Sequence, residues 1–392
     1  MPSSSKLRRV AVLGATGSIG RNTLDVIAGL PGEFEAVALA AGRNVKLLAE
    51  QAATFRPQLL SVATAEAAQE LRRRLPSSYH PEILHGAEGL EAAATQCGAE
   101  VVVAAIVGVA ALEAIAAALH QGCTVALANK EALVAAGALL LQAAQSGGGA
   151  IVPVDSEHSA LHQCLRAGEA REVARLILTA SGGPFWKFSA AELQHAAPAQ
   201  ALCHPTWNMG ARVTLDSATL MNKGFEIIEA CHLFGLDESH VAVLVHPQSI
   251  LHSMVEYVDG SVIAQLGTPD MRTPIQYALS YPRRLPASRL PLKLEEVGKL
   301  EFYPPDAERF PSLRLARQAW RAGGAAGAVL NAADEVALEG FVAGQIEFPA
   351  IARVVEETLQ RVGAPATTSI GEVLAWDAKA RQAAQAELTA LC

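Results

Sequence analysis

No two of the six cysteines stand as a CxxC pair; Cys97, Cys123, Cys164, Cys203, Cys231 and Cys392 are scattered along the chain. That excludes a clustered-thiolate zinc or redox motif and predicts a reduced protein of the cytoplasm. Nor is there an apolar run of the about 20 residues that cross a bilayer. The longest, Val101 to Leu112 and Ala132 to Leu141, are broken by Gly108 and closed by Gln142. After the basic start, the apolar stretch Val10 to Leu13 is too short for the core of a signal peptide. Charge is sparse too: 18% of residues, with 39 acidic against 31 basic and a formal charge of -8. Such a balance argues against a nucleic-acid surface or a polybasic membrane contact and leaves only local sites for phosphates. What is abundant is apolar, 51% of 392 residues, enough to bury the cores of two or three domains.

Val10 to Leu13 reads as a short buried strand, and Gly14-Ala-Thr-Gly17-Ser-Ile-Gly20 follows at once into a helix through Thr23, Leu24, Val26 and Ile27. Glycines there allow a tight turn and a close approach of backbone to pyrophosphate, while the free N–H groups of the helix start attract the anion. The spacing is GxxGxxG, not GxGxxG, so its weight comes from its place at the first strand-helix junction. An acid at the end of the next strand, Ala36 to Ala40, would hold the ribose hydroxyl of NAD; the chain instead has Ala41-Gly42-Arg43-Asn44. Arg43 suits a 2′-phosphate and favours NADPH.

Strands at Leu59 to Val62, Glu82 to Leu84, Val101 to Ala104 and Thr124 to Leu127 alternate with helical patterns at Ala65 to Leu75, Ala110 to Leu119 and Lys130 to Ala144. Alternation of this kind implies a parallel sheet covered on both faces, with its ligand crevice beyond the carboxyl ends of the strands. Asn129-Lys130-Glu131 falls at such an end, where Lys130 would be aimed at the crevice and Asn129 at a ribose, although a charged triplet at a helix start is also ordinary capping.

The apolar run Ala150 to Val154 stops at Asp155-Ser156-Glu157-His158. In extended backbone, positions two apart share a face, so Asp155 and Glu157 could converge on one divalent cation; equally, Asp155 or Ser156 could cap a helix starting near His158. Asp216 to Phe234 reads as one largely buried helix on which Asn222, Lys223 and Glu226 cluster, with Ser217 near its start. Unpaired charge is costly in such surroundings, which makes Glu226 a third carboxylate, and an all-oxygen triad suits Mg²⁺ or Mn²⁺ better than zinc. His158 and His162 have zinc spacing but no HExxH. Ser181-Gly182-Gly183 after a strand offers N–H groups to an anion or is a plain turn. His204 to Gly210, with Trp207 and Met209 in a loop bounded by proline and glycine, reads either as a core plug or as a lid. His246 and His252 read as satisfied core groups. Pro282 to Pro311 is a long connection, and alanine-rich patterns Leu313 to Arg321, Ala326 to Ala343, Phe348 to Val362 and Ile370 to Leu391 form a helical bundle.

Taken together these motifs resemble the 1-deoxy-D-xylulose 5-phosphate reductoisomerase family. The similarity runs through residues 14–20, 42–44, 129–131, 154–158, 181–185, 204–210, 216–224, 246–249 and 267–271, and weakly through Leu330 to Val336, where Asp334 stands in place of an expected asparagine. The resemblance implies an α/β protein with an N-terminal Rossmann-like NADPH domain at 1–150, a central α/β catalytic domain with a flexible lid at 151–285, a linker at 286–311 and a C-terminal helical domain at 312–392. It implies conversion of 1-deoxy-D-xylulose 5-phosphate to 2-C-methyl-D-erythritol 4-phosphate with NADPH and a divalent cation, Mg²⁺ or Mn²⁺ with Co²⁺ as a further candidate, in non-mevalonate isoprenoid synthesis. Carried over, Asp155, Glu157 and Glu226 hold the metal, and with Lys130 they are the catalytic set. Ser181, Ser217, Asn222 and Lys223 take the phosphate, and Lys130, Ser156, Glu157, His204 and Glu226 also touch substrate. Thr16, Gly17, Ser18, Ile19, Gly42, Arg43, Asn44, Asn129, Glu131 and Gly210 line the NADPH site, and His204, Trp207 and Met209 form the lid. A cytoplasmic homodimer is implied, with a phosphosugar substrate and neither nucleic acid nor membrane as partner. An ordinary NADPH dehydrogenase would leave the three carboxylates idle, and an NADPH sensor would bind cofactor without turnover.

Overall fold

Valine, isoleucine, leucine and alanine runs bounded by glycine turns build a seven-stranded sheet in the computed structural model, in the order β4-β3-β2-β1-β5-β6-β7. The strands are β1 (Arg8–Leu13), β2 (Phe34–Ala40), β3 (Leu59–Val62), β4 (Glu82–His85), β5 (Val101–Ala104), β6 (Thr124–Leu127) and β7 (Ala150–Pro153). Every neighbouring pair is parallel. Val10 to Leu13 are fully buried, which is why the strand reads as a continuous apolar run and not as an alternating one. The structure describes residues 7–207, 209–287 and 291–391. Asn208 of the lid motif, 288–290 of the expected linker and Cys392 lie outside the described residues.

The chain divides into two compact units, and neither is continuous in sequence. The first comprises Met1–Asn129, Ala138–Ser159 and Asp270–Leu290. Its helix Arg272–Ser280 lies beside the helix Ser18–Gly29 and beside β6 and β7, and Ile275, Tyr277 and Leu279 join the same core as Val10, Leu39 and Val103. Arg8 Nη1 fixes this late segment by donating to the carbonyls of Leu279 at 2.7 Å and Tyr281 at 3.0 Å.

The second unit comprises Lys130–Gly137, Ala160–Pro269 and Pro291–Cys392. Its four-stranded sheet has the order β11-β10-β8-β9, from β8 (Val173–Ala180), β9 (Val241–Val245), β10 (Leu251–Tyr257) and β11 (Val262–Leu266). β8 and β9 are parallel and the other pairs antiparallel. The helices Ser312–Ala322, Ala326–Val342, Phe348–Val362 and Ile370–Leu391 supply most of the larger core. Alanines let them pack closely, and Phe185 fills the gap against Phe348 with ring centroids 5.0 Å apart. Complete burial of Phe185 contributes about 2–3 kcal/mol. No described helix is long and apolar enough to cross a membrane.

Two local expectations change. The extended arrangement of Asp155 and Glu157 does not form, because a helix begins at Ser156 and runs to Cys164. The carbonyl of Asp155 already accepts from Ser159 N at 2.8 Å, and Glu157 falls in the first turn, where the helix dipole favours an acid. The single helix expected over Asp216 to Phe234 is two, Ala211–Thr219 and Met221–Phe234, broken at Leu220 with φ 59°. A leucine in the left-handed region costs about 1–2 kcal/mol and is held by its burial.

Candidate active site

In the first unit, the turn after β1 shows why glycines are needed. Gly14 has φ 94°, and a Cβ on Gly20 would come within 2.6 Å of Ala15 Cα. Gly17 caps the helix Ser18–Gly29 without a side-chain bond and without an acid in the first turn. The leading N–H groups therefore keep their capacity for an anion. Thr16 and Ile19 are half-buried, and Gly17 and Ser18 exposed, around this turn. Beyond β2, Gly42, Arg43, Thr64, Arg73 and Arg74 are among the residues lining an open cleft of about 570 Å³. Asn44 caps the helix Val45–Phe55 by accepting from Leu47 N at 3.2 Å. Asn129 directs its amide N–H groups to the carbonyls of Ile106 and, at 2.8 Å, Gly108, which ties the loop after β5 to the end of β6. Ser156 Oγ donates to Glu157 Oε2, and His158 Nδ1 lies 3.7 Å from Asp155 Oδ2.

In the second unit, Glu226 is completely buried. Its Oε1 accepts from Lys130 Nζ at 3.1 Å and from Asn222 Nδ2 at 2.6 Å, and its Oε2 pairs with Lys223 Nζ. The two ammonium groups against this unexposed carboxylate favour its ionised form, since their attraction offsets the cost of burying the charge. Asn222 Oδ1 is buried with no hydrogen-bond partner among the described residues, which leaves an acceptor for a ligand. Glu131, also buried, has its carboxyl pKa raised by desolvation, with Arg212 opposing the rise.

The turn at Ser181 is tied to two other segments of the unit. Gly183 has φ 67° and no room for a Cβ, which would strike the Ser217 carbonyl. Ser181 and Ser217 therefore belong to touching segments. His204 Nδ1 accepts from the backbone N–H groups of Trp207 at 2.9 Å and Thr206 at 3.2 Å, so Nδ1 carries no proton. In the neutral ring the proton is on Nε2, which donates to Ser181 Oγ at 2.8 Å. Trp207 is half-buried, 6.1 Å from the His252 ring, and Met209 is half-buried while Gly210 is exposed. His246 is a satisfied structural group, its Nε2 accepting from Ile250 N and Leu251 N, both at 3.2 Å.

Sequence reasoning missed Arg212. Its Nε bonds Asp216 at 2.9 and 3.1 Å, Nη2 bonds Asp334 at 2.8 Å, and Nη1 pairs with Glu335 at 2.7 Å. The spacing of Arg212 and Asp216, one helical turn apart, was the available signal.

A parallel sheet with a glycine turn at its switch point, in a chain that also carries buried lysine and carboxylate, defines a pyridine-nucleotide-dependent oxidoreductase acting on a small anionic substrate. Models of the 1-deoxy-D-xylulose 5-phosphate reductoisomerase family match residues 10–137, and models of the C-terminal domains of these reductoisomerases match 151–234 and 266–383. The reductoisomerase of Geobacter sp. (strain M21) is 51% identical over 98% of this chain and 100% of its own length. That of Moorella thermoacetica is 52% identical over 97% of this chain and 98% of its own. The solved Zymomonas mobilis reductoisomerase in complex with NADPH superposes with a TM-score of 0.92 at 44% identity, covering 98% of this chain and 99% of that one. A reductoisomerase in complex with NADPH, fosmidomycin and magnesium gives 0.91 at 40% identity, with 98% of each chain covered. The chain belongs to the 1-deoxy-D-xylulose 5-phosphate reductoisomerase family.

Proposed function

We propose that Asp155, Glu157 and Glu226 hold the divalent cation with which this enzyme converts 1-deoxy-D-xylulose 5-phosphate to 2-C-methyl-D-erythritol 4-phosphate, oxidising NADPH. The observation that carries the assignment is Glu226, a carboxylate kept ionised at zero exposure by Lys130 and Lys223. Three carboxylates make an all-oxygen donor set, the chemistry that magnesium and manganese take and zinc does not require. When bound, the cation supplies Lewis acidity to the ketone and neighbouring hydroxyl of the substrate, and NADPH supplies the hydride for the reduction.

The remaining work falls to the chain. Ser181, Ser217, Asn222 and Lys223 bind the phosphate end, a role that the contact of the Ser181 turn with the Ser217 carbonyl supports. Lys223 contributes a fixed charge, and Lys130 places a second ammonium where negative charge develops during rearrangement. Ser156 orients Glu157 through its hydroxyl. His204 holds the phosphate-binding serine through Nε2–H, so that Trp207 and Met209, on the same segment, close over substrate and keep water from the reactive carbonyl. Thr16, Gly17, Ser18 and Ile19 take the pyrophosphate, Arg43 with Gly42 and Asn44 the 2′-phosphate, and Asn129, Glu131 and Gly210 line the rest of the NADPH site. In this assignment residues 1–150 serve NADPH, 151–285 the chemistry, 286–311 a connection and 312–392 support. The enzyme works as a cytoplasmic homodimer.

The test follows NADPH absorbance with 1-deoxy-D-xylulose 5-phosphate in metal-stripped protein before and after Mg²⁺ or Mn²⁺ is added. Oxidation that waits for the metal and yields the branched polyol phosphate is the expected result. Metal-independent oxidation to an unbranched product would mean a simple dehydrogenase, and binding without turnover a sensor.

A further inference from the structure

The helix Ala211–Thr219 carries Ser217 yet has few means of holding its own position. It is only nine residues long, follows an irregular loop and ends at the strained Leu220. A helix of that length has little stability alone, so tertiary contacts decide where its last turn lies. Leu215 and Ala218 give it an apolar anchor, while Gly183 presses on the Ser217 carbonyl. The polar anchor is Arg212. Its guanidinium takes Asp216 of the same helix at 2.9 Å and Asp334 and Glu335 of the helix Ala326–Val342 at 2.8 and 2.7 Å, with Asn331 Oδ1 at 3.4 Å. Glu335 is braced in turn by Arg381 of the last helix, which also binds Asp377 at 2.7 Å.

We infer that Arg212 is a positioning residue for substrate: by gripping Asp216 and Asp334 together it locks the Ser217 helix to the C-terminal helices, so the C-terminal region sets affinity for the substrate phosphate. This rests on the reading of Ser217 and Lys223 as phosphate ligands. Only a planar fork reaches these partners from one side chain; a lysine ammonium has charge without the fork. The grip is also crowded with acid. Asp216, Asp334, Glu335 and Glu131 face one guanidinium, with Arg381 beyond. Burial and then Asp216 raise the Asp334 carboxyl well above its ordinary range, against the pull of Arg212. Asp334 Oδ2 nonetheless accepts from Arg212 Nη2 at 2.8 Å.

Arg212→Lys should raise the KM for 1-deoxy-D-xylulose 5-phosphate about tenfold, with kcat within about twofold and the KM for NADPH unmoved. Asp334→Leu, which keeps Arg212 paired with Asp216 and Glu335, should raise the same KM and provides the measurement if the lysine variant does not fold. Asp334→Asn, which keeps an acceptor oxygen for Arg212 in the same place, should keep the wild-type KM. A folded Asp334→Leu protein with wild-type KM, or loss of melting temperature without any change in KM, would overturn the inference. Lys223→Ala separates this from the underlying assignment. If Lys223→Ala leaves KM unchanged, the phosphate assignment itself fails; if it raises KM while the Arg212 and Asp334 variants do not, only the positioning role fails.

Discussion

Lys130 Nζ reaches Glu226 Oε1 at 3.1 Å from a residue 96 positions earlier in the chain, while Lys223 takes the other oxygen from one turn away. Glu226→Gln removes the anion and leaves two buried ammonium groups facing a neutral amide. The variant should lose about 3 kcal/mol of stability and more than about a hundredfold in turnover. Thermal melts with and without Mg²⁺ check the metal role: the ion should raise the wild-type midpoint and leave that of the variant unmoved. Chelator should abolish wild-type turnover and Mg²⁺ restore it. A Glu226→Gln enzyme that still responds to the ion would remove Glu226 from the ligand set.

Arg43 is exposed at the end of β2 and lines the same cleft as Arg73 and Arg74. Arg43→Ala should raise the KM for NADPH about tenfold and leave any turnover with NADH unmoved. Steady-state kinetics with both cofactors decide the matter; equal losses with NADPH and NADH would assign Arg43 to the fold and not to the 2′-phosphate.

The glycines of the first unit separate into two kinds. At Gly20 a methyl group would be forced against the backbone of Gly14 and Ala15, whereas at Gly42 it would meet nothing within 4 Å. Gly20→Ala should therefore cost about 2–3 kcal/mol, read by chemical denaturation. Gly42→Ala should keep wild-type stability, and a drop in NADPH affinity measured by fluorescence titration would place cofactor against that backbone.

His232 packs against the Trp320 ring at 4.8 Å and fills the space beside Gly137. Burial lowers its pKa to about 4. The folded protein thus holds the ring neutral while the unfolded chain protonates it near its ordinary value, so stability is full at neutral pH and falls as pH drops from about 6.5 toward 4. The loss amounts to about 3 kcal/mol across that window. Urea melts of wild type and His232→Phe at pH 7 and pH 5 measure it: the wild type should lose more between the two than the variant, and parallel losses would refute the assignment.

Much of the first unit was legible because parallel strands buried on both faces are written as unbroken apolar runs, as in Val10–Leu13 and Val101–Ala104. The glycine turn was legible for a similar reason, since only glycine meets the backbone contacts at positions 14 and 20. Less was visible around the acids. Asp155 and Glu157 follow an apolar strand, yet Ser156 starts a helix, and local pattern fits both outcomes until the hydrogen bond from Ser159 to the Asp155 carbonyl selects one. The break at Leu220 carries no glycine or proline to announce it; burial of that leucine holds a conformation its own side chain disfavours.

The sequence by itself determined the chemistry available: a glycine-rich turn ahead of a helix, a cation in place of an acid after β2, three carboxylates and two lysines in apolar surroundings. Those are properties of residue type and short spacing. Only the tertiary structure decided which distant pieces share a core, bringing Arg272–Ser280 to the first unit and Lys130–Gly137 to the second, and gathering Asp216, Asp334 and Glu335 on Arg212. The reason is that contacts such as Arg212 with Asp334, 122 residues apart, leave no periodicity in the chain; they are set by which polar groups the fold buries together, where an unpaired one would be costly.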